Sequence, residues 1–108
     1  MKYHVEFDVE LRRNNYGGLY IALEGVDGSG KTTQLARLKD YFKGKGREVV
    51  CTREPRKQEG IIGDLIQKIL QGKTVIPPVA FQYLFTADRE MHHEGLVIPA
   101  LKEGKVVI

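Results

Sequence analysis

Eight consecutive residues, Gly25-Val26-Asp27-Gly28-Ser29-Gly30-Lys31-Thr32, combine glycines, a lysine and a hydroxyl in the spacing G-x-x-x-x-G-K-T, and Thr33 follows. Glycines at 25, 28 and 30 let the backbone curl with its N–H groups inward, forming a concave nest for phosphate oxygens. Lys31 supplies a mobile positive charge for β- and γ-phosphates, and the Thr32 hydroxyl is placed to ligate Mg²⁺. Gly25, Val26, Asp27, Gly28, Ser29, Gly30, Lys31, Thr32 and Thr33 are therefore the candidate triphosphate-binding residues. The bland alternative is a glycine-rich turn between two core elements, and the flanking elements decide between them.

A phosphate loop needs a strand before it and a helix after it. Leu19-Tyr20-Ile21-Ala22-Leu23 is an apolar run that reads as a buried strand. Leu35, Leu38 and Phe42 recur at helical spacing, and Lys43-Gly44-Lys45-Gly46 ends that helix with cations and a glycine cap. The helix adds its N-terminal dipole to the anion site. Glu48 to Thr52 is a second short β run, parallel to the first in a right-handed βαβ unit, and it delivers Arg53-Glu54-Pro55 to the same sheet end as the loop. Glu54, preceding proline, is biased towards an extended conformation. Arg56 to Gly60 reads as loop.

Ile62, Leu65, Ile66, Ile69 and Leu70 define an amphipathic helix ended by Gly72. Pro77-Pro78 opens the next helix, through Phe81, Leu84, Phe85 and Met91, which Pro99 kinks or divides. Upstream, Tyr3, Val5, Phe7, Val9 and Leu11 alternate with His4, Glu6, Asp8 and Glu10, the signature of a half-buried strand. Residues 12–18 form a turn or linker behind it. The strand reads as an added sheet edge without chemistry. It could also pair with another subunit, which leaves a homodimer open.

Arg53, Phe85 and Arg89 are candidates for a second ligand. Phe85 and Arg89 lie one helical turn apart, so a ring and a guanidinium fork project to one side and could meet a planar base. Arg53 at a strand end could clamp a phosphate in bidentate fashion. The plain alternatives are a core position for Phe85, Asp88 or Glu90 as partner of Arg89, and Glu54 as partner of Arg53.

Three stretches carry a resemblance: Glu24 to Gln34 around the loop, Thr52-Arg53-Glu54-Pro55, and Leu84-Phe85-Thr86-Ala87-Asp88-Arg89. With Ile98-Pro99-Ala100-Leu101 and Gly104 to Ile108, they resemble the N-terminal half of thymidylate kinases from about Leu19 onward. The resemblance implies a P-loop NTPase-type α/β fold, three layers α/β/α about a parallel sheet, here truncated and carrying the extra N-terminal strand. Residues 1–18 would be strand and linker, and 19–108 the N-terminal portion of the kinase domain. It implies ATP as phosphoryl donor, Mg²⁺ held through Thr32, and dTMP as acceptor. Lys31 and Arg53 would be catalytic, with Arg53 on the dTMP phosphate. Phe85 would stack on thymine, Arg89 would bond the base edge, and Asp27 would contact the 3′-hydroxyl.

The departures are Arg56-Lys57, where the family often has glycines, and the missing Asp-Arg-aromatic motif, lid and adenine loop. Gly28 matches a subtype that takes its catalytic arginine from the lid. The chain closes on Lys105-Val106-Val107-Ile108, the opening of a buried strand, so the expectation is a fragment not competent alone. Rival readings are a kinase for another nucleoside monophosphate, or a non-catalytic nucleotide-binding switch. A GTPase switch would want D-x-x-G and N-K-x-D motifs, and neither is in the sequence.

At 108 residues the chain suits one small domain with a modest core. A net charge of +3 without any basic run suits phosphate handling and argues against nucleic acid as a partner. Cys51 is the single cysteine, read as an apolar filler in a strand and consistent with a reducing compartment. No membrane span or secretory segment is recognised, so the expected location is cytoplasmic. His4, His92 and His93 read as solvated, the last two pointing apart, and no metal site of protein ligands alone stands out.

Overall fold

The loop sits where a parallel sheet hands its chain to a helix. A computed structural model describes residues 1–11, 14–56 and 60–108. Arg12 and Arg13 of the expected linker, and Lys57, Gln58 and Glu59 of the expected loop, lie outside the described residues. The chain runs β1 (Leu19–Tyr20), α1 (Lys31–Gly44), β2 (Val49–Val50), α2 (Gly60–Leu70) and α3 (Pro78–His92). A π turn (His93–Val97), α4 (Ile98–Lys102) and β3 (Val106–Val107) follow.

Among the described residues the sheet has three parallel strands in the order β1-β3-β2. Val106 faces Leu19 on one side and Val49 on the other. The pairing extends past the short strands, since the Ile21 N–H donates to the Val107 carbonyl and the Thr52 N–H to the Ile108 carbonyl, each at 2.9 Å. Val106, Val107 and Ile108 are buried because β3 has neighbours on both edges and helices over it. Val97, Ala100, Leu101 and Val107 form the core cluster, with Val50 and Leu96 packed against it. This is the parallel α/β architecture read from the sequence. With all three strands parallel, the ends of β1 and β2 open at one edge, and both candidate sites leave from there.

The helix boundaries follow local chemistry. Gly46 adopts φ 75° just past α1, Gly72 φ 73° just past α2, and Pro78 opens α3. Leu35, Leu38 and Phe42 are half-buried on the inner side of α1. Pro99 divides the last helical stretch: it has no N–H to continue the ladder, and the chain widens into a π turn in which the Ile98 N–H reaches the His93 carbonyl.

Three expectations are corrected. The N-terminal β-strand does not form: residues 3–11 pair with neither sheet edge, and Tyr3, Val5, Phe7, Val9 and Leu11 are 65–87 % exposed. Alternation prepares an apolar face, but a strand without a ladder or a surface to cover it has nothing to hold it. Leu19, Tyr20 and Leu23 are exposed rather than buried, because β1 has β3 on one edge only. Cys51 is exposed at the end of β2 and fills no core.

Gly18 is a packing requirement. Its N–H donates to the Leu101 carbonyl at 2.9 Å, and a Cβ there would lie 2.5 Å from the Lys105 carbonyl oxygen and 2.7 Å from the Leu101 Cα. Both obstacles are backbone, so β1 or α4 would have to move. Gly18→Ala is expected to cost about 1–3 kcal/mol, read as a lowered Tm in thermal unfolding. Gly17→Ala, whose Cβ meets nothing nearer than 4.0 Å, should leave Tm within a degree or so of the parent. Equal effects at both positions would contradict the close approach.

Candidate active site

The glycine loop forms the first half of the site. Gly28 and Gly30 adopt φ 78° and 97°, left-handed conformations that favour glycine, and a Cβ at either would meet no atom within 4 Å. No side chain caps the N-terminus of α1 and its first turn has no acidic residue, so its N–H groups and dipole face outward uncompensated. Lys31 arches back over the loop and donates from Nζ to the Gly25 carbonyl at 2.5 Å. The approach is close: a Cβ on Gly25 would lie 2.6 Å from the Ser29 Oγ. Asp27, Gly28, Gly30, Lys31, Thr32 and Thr33 line a hollow of about 300 Å³.

The second half comes from residues 52–56 clipped to one face of α3. The Thr52 Oγ1 and His92 Nε2 are 2.8 Å apart, and the His92 Nδ1 is 3.1 Å from the Glu54 Oε1. Arg89 Nε donates to the Glu54 Oε2 at 2.7 Å. The Arg56 backbone N–H donates to the Asp88 Oδ2 at 3.0 Å. Residues 52, 54 and 56, along a segment that bends at Glu54-Pro55, thus meet His92, Arg89 and Asp88, which share a face through helical spacing. Arg53, between them, is exposed.

A larger hollow of about 920 Å³ opens between the two halves, lined among others by Asp27, Lys31, Thr32, Arg53 and Arg89. Asp27, Lys31 and Thr32 therefore wall both hollows. The structure brings these five candidates together. Val26 is exposed at the loop tip, and Phe85 is not among the residues walling either hollow. Its ring packs on Phe81, centroids 4.6 Å apart and tilted by 45°. The plain pairings expected for the arginines are not the ones found: it is Arg89 that pairs with Glu54, while Asp88 takes the Arg56 backbone N–H.

The histidine reading is corrected in part. His4 is exposed, but His92 is 1 % exposed and bonded through both ring nitrogens. Nor do His92 and His93 point apart, since the His93 Nε2 also approaches the Glu54 Oε1, at 3.7 Å. Periodicity could not reveal this, because the partners come from β2 and the segment that continues it. The one available signal was the polar Thr52 and Glu54 two residues apart at a strand end. Among the described residues no cluster of three or more His, Cys, Asp or Glu could hold a metal.

Charge follows this arrangement. Burial pushes the Glu54 carboxyl upward, but the hydrogen bonds from His92 and Arg89 outweigh it and hold the group below the ordinary glutamate value. The bond to Glu54 raises Arg89 in turn. Burial, then the Glu54 charge, raises the Tyr20 phenol, which stays neutral at the rim.

Residues 23–108 match the family model of thymidylate kinase. Over 96 residues the chain is 47 % identical to a probable thymidylate kinase of Pyrococcus horikoshii, covering 84 % of this chain and 46 % of the relative. A thymidylate kinase of Bifidobacterium longum subsp. infantis is 45 % identical over 84 % of this chain and 40 % of its own length. One of Protochlamydia amoebophila is 43 % identical over 86 % and 42 %. The chain spans less than half the length of each of these relatives.

A carboxyl lowered in the folded state adds stability above its unfolded pKa, about 4.3 for glutamate, and that stability is lost as pH falls through the lower folded value. Thermal unfolding between about pH 7 and pH 3 should therefore show the parent protein losing stability more steeply than Glu54→Gln. Parallel curves would mean that Glu54 is not held as a charged partner.

Proposed function

The chain belongs to the thymidylate kinase family, and on that premise we propose that its two adjoining hollows bring ATP and dTMP together for phosphoryl transfer, giving ADP and dTDP. The observation that carries this reading is the shared wall: Asp27, Lys31 and Thr32 face both the glycine loop's concavity and the hollow that holds Arg53 and Arg89. Phosphoryl transfer requires donor and acceptor in line within one charge-neutralising site, with little covalent work for the protein.

In this reading the main chain of Gly25 to Thr33 cradles the ATP phosphates, and Lys31 neutralises charge as it develops on them. Arg53, exposed at the end of β2, grips the dTMP phosphate. Arg89 bonds the base edge and Asp27 the 3′-hydroxyl. Thymine stacking by Phe85 rests on the family resemblance alone, since its ring packs on Phe81 and does not wall the hollow.

Mg²⁺ fits the donor set. Thr32 offers an exposed hydroxyl at the first turn of α1, and the absence of a carboxylate cage among the described residues suits an ion bound chiefly by phosphate oxygens and water. When bound, the ion would neutralise phosphate charge; Thr32 would hold it. Among the described residues no helix is long and apolar enough to cross a membrane. The reading places the protein in the cytoplasm, acting on free nucleotides.

Steady-state kinetics of the full-length protein test the assignment. Lys31→Ala should lower kcat by about 10²–10³-fold with little change in the KM for dTMP, whereas Arg53→Ala should raise that KM. Unchanged kcat in the first, or an unchanged dTMP KM in the second, would contradict the roles proposed for these two side chains.

A further inference from the structure

His92 is buried, polar and doubly bonded, and phosphoryl transfer as described above makes no use of it. We propose that His92 is a positioning residue for the acceptor: it locks the Glu54 carboxylate, which fixes the Arg89 guanidinium at the hollow. This deepens the assignment of that hollow to dTMP and rests on it.

The argument starts from Arg89. Its side chain is 65 % exposed, and an exposed arginine in a simple surface ion pair gains little and samples many rotamers. Here the partner is not mobile. Glu54 divides its oxygens: Oε2 accepts from Arg89 Nε, and Oε1 lies against His92 Nδ1, with His93 Nε2 beyond. Those contacts stop the carboxylate from swinging with the guanidinium.

His92 can serve as the anchor because it is 1 % exposed and has no water to exchange bonds with. The acceptor at Nδ1 sets its tautomer. A carboxylate there requires Nδ1–H, so in the neutral ring Nε2 accepts from the Thr52 hydroxyl. Thr52 belongs to the sheet through its N–H bond to Ile108. The chain of contacts therefore runs from β3 through Thr52, His92 and Glu54 to Arg89. Among the described residues Glu54 takes the Nε–H of the guanidinium, which leaves its Nη donors to face a ligand in the hollow. A fork held in place before binding spares the ligand the cost of ordering it.

The test is calorimetric titration of the full-length protein with dTMP and, separately, with ATP. His92→Leu should weaken dTMP binding by about 2- to 10-fold, the ordering of one long side chain, while ATP affinity stays unchanged. His92→Asn, which restores a side-chain N–H near the Nδ1 position, should recover most of the loss. Arg89→Ala should cost less dTMP affinity in the His92→Leu background than in the parent. If His92→Leu fails to fold by circular dichroism, Thr52→Val and Glu54→Gln carry the comparison, and both should weaken dTMP selectively. Loss on Arg89→Ala with no loss in the relay variants, or strictly additive effects, overturns the positioning role. No loss on Arg89→Ala in the parent protein overturns instead the assignment of the hollow to dTMP.

Discussion

A partly buried polar clip between the end of β2 and one face of α3 is the constraint on which the site depends. Thr52, Glu54 and the backbone of Arg56 bond His92, Arg89 and Asp88 across sequence separations of more than thirty residues. Asp88 and His92 are almost wholly buried, so each lost partner would leave a polar group without water to replace it. The clip is therefore costly to break in part. It holds the 52–56 segment against α3, and the exposed Arg53 is carried to the rim of the hollow as a consequence.

The glycine loop works by the opposite means. It presents main-chain N–H groups and a helix terminus, and its shape comes from Gly28 and Gly30 in left-handed conformations, with open space where a Cβ would sit. In the proposed reading one anion site is built of backbone and the other of side chains fixed by a hydrogen-bond network. The parallel sheet puts them side by side, because β1 and β2 run in the same direction on either side of β3. Asp27, Lys31 and Thr32 occupy the seam.

What could be read from the residues alone was what is local. The loop, the stops of α1 and α2, and the break at Pro99 each depend on a few neighbouring residues, and the structure has them where spacing puts them, whereas α2 begins at Gly60, inside the expected loop. Parallel pairing followed from the strand–helix–strand order. The failures all concern partners distant in sequence. Alternation over Tyr3 to Leu11 describes a strand but cannot supply the edge it would pair with. Adjacency on a helix sent His92 and His93 to different faces, yet a carboxylate from another element lies within reach of both. Cys51 looked like core because its neighbours do, and only the fold shows that it borders the hollow. Family resemblance narrowed the roles of Arg53 and Arg89, while the pairing of Arg89 with Glu54 had to come from the structure.

The central claim is that two anionic ligands meet at one seam, with the loop holding one and the clipped segment the other. The most direct measurement is the affinity of a bisubstrate ligand, adenosine joined to deoxythymidine through a polyphosphate chain, against the affinities of ATP and dTMP. Two adjoining sites predict that the linked ligand exceeds the tighter of the two nucleotides by about 10²-fold or more. A linked ligand that binds no better than its tighter half would show that the two hollows are not filled together, and the account of this site would be wrong.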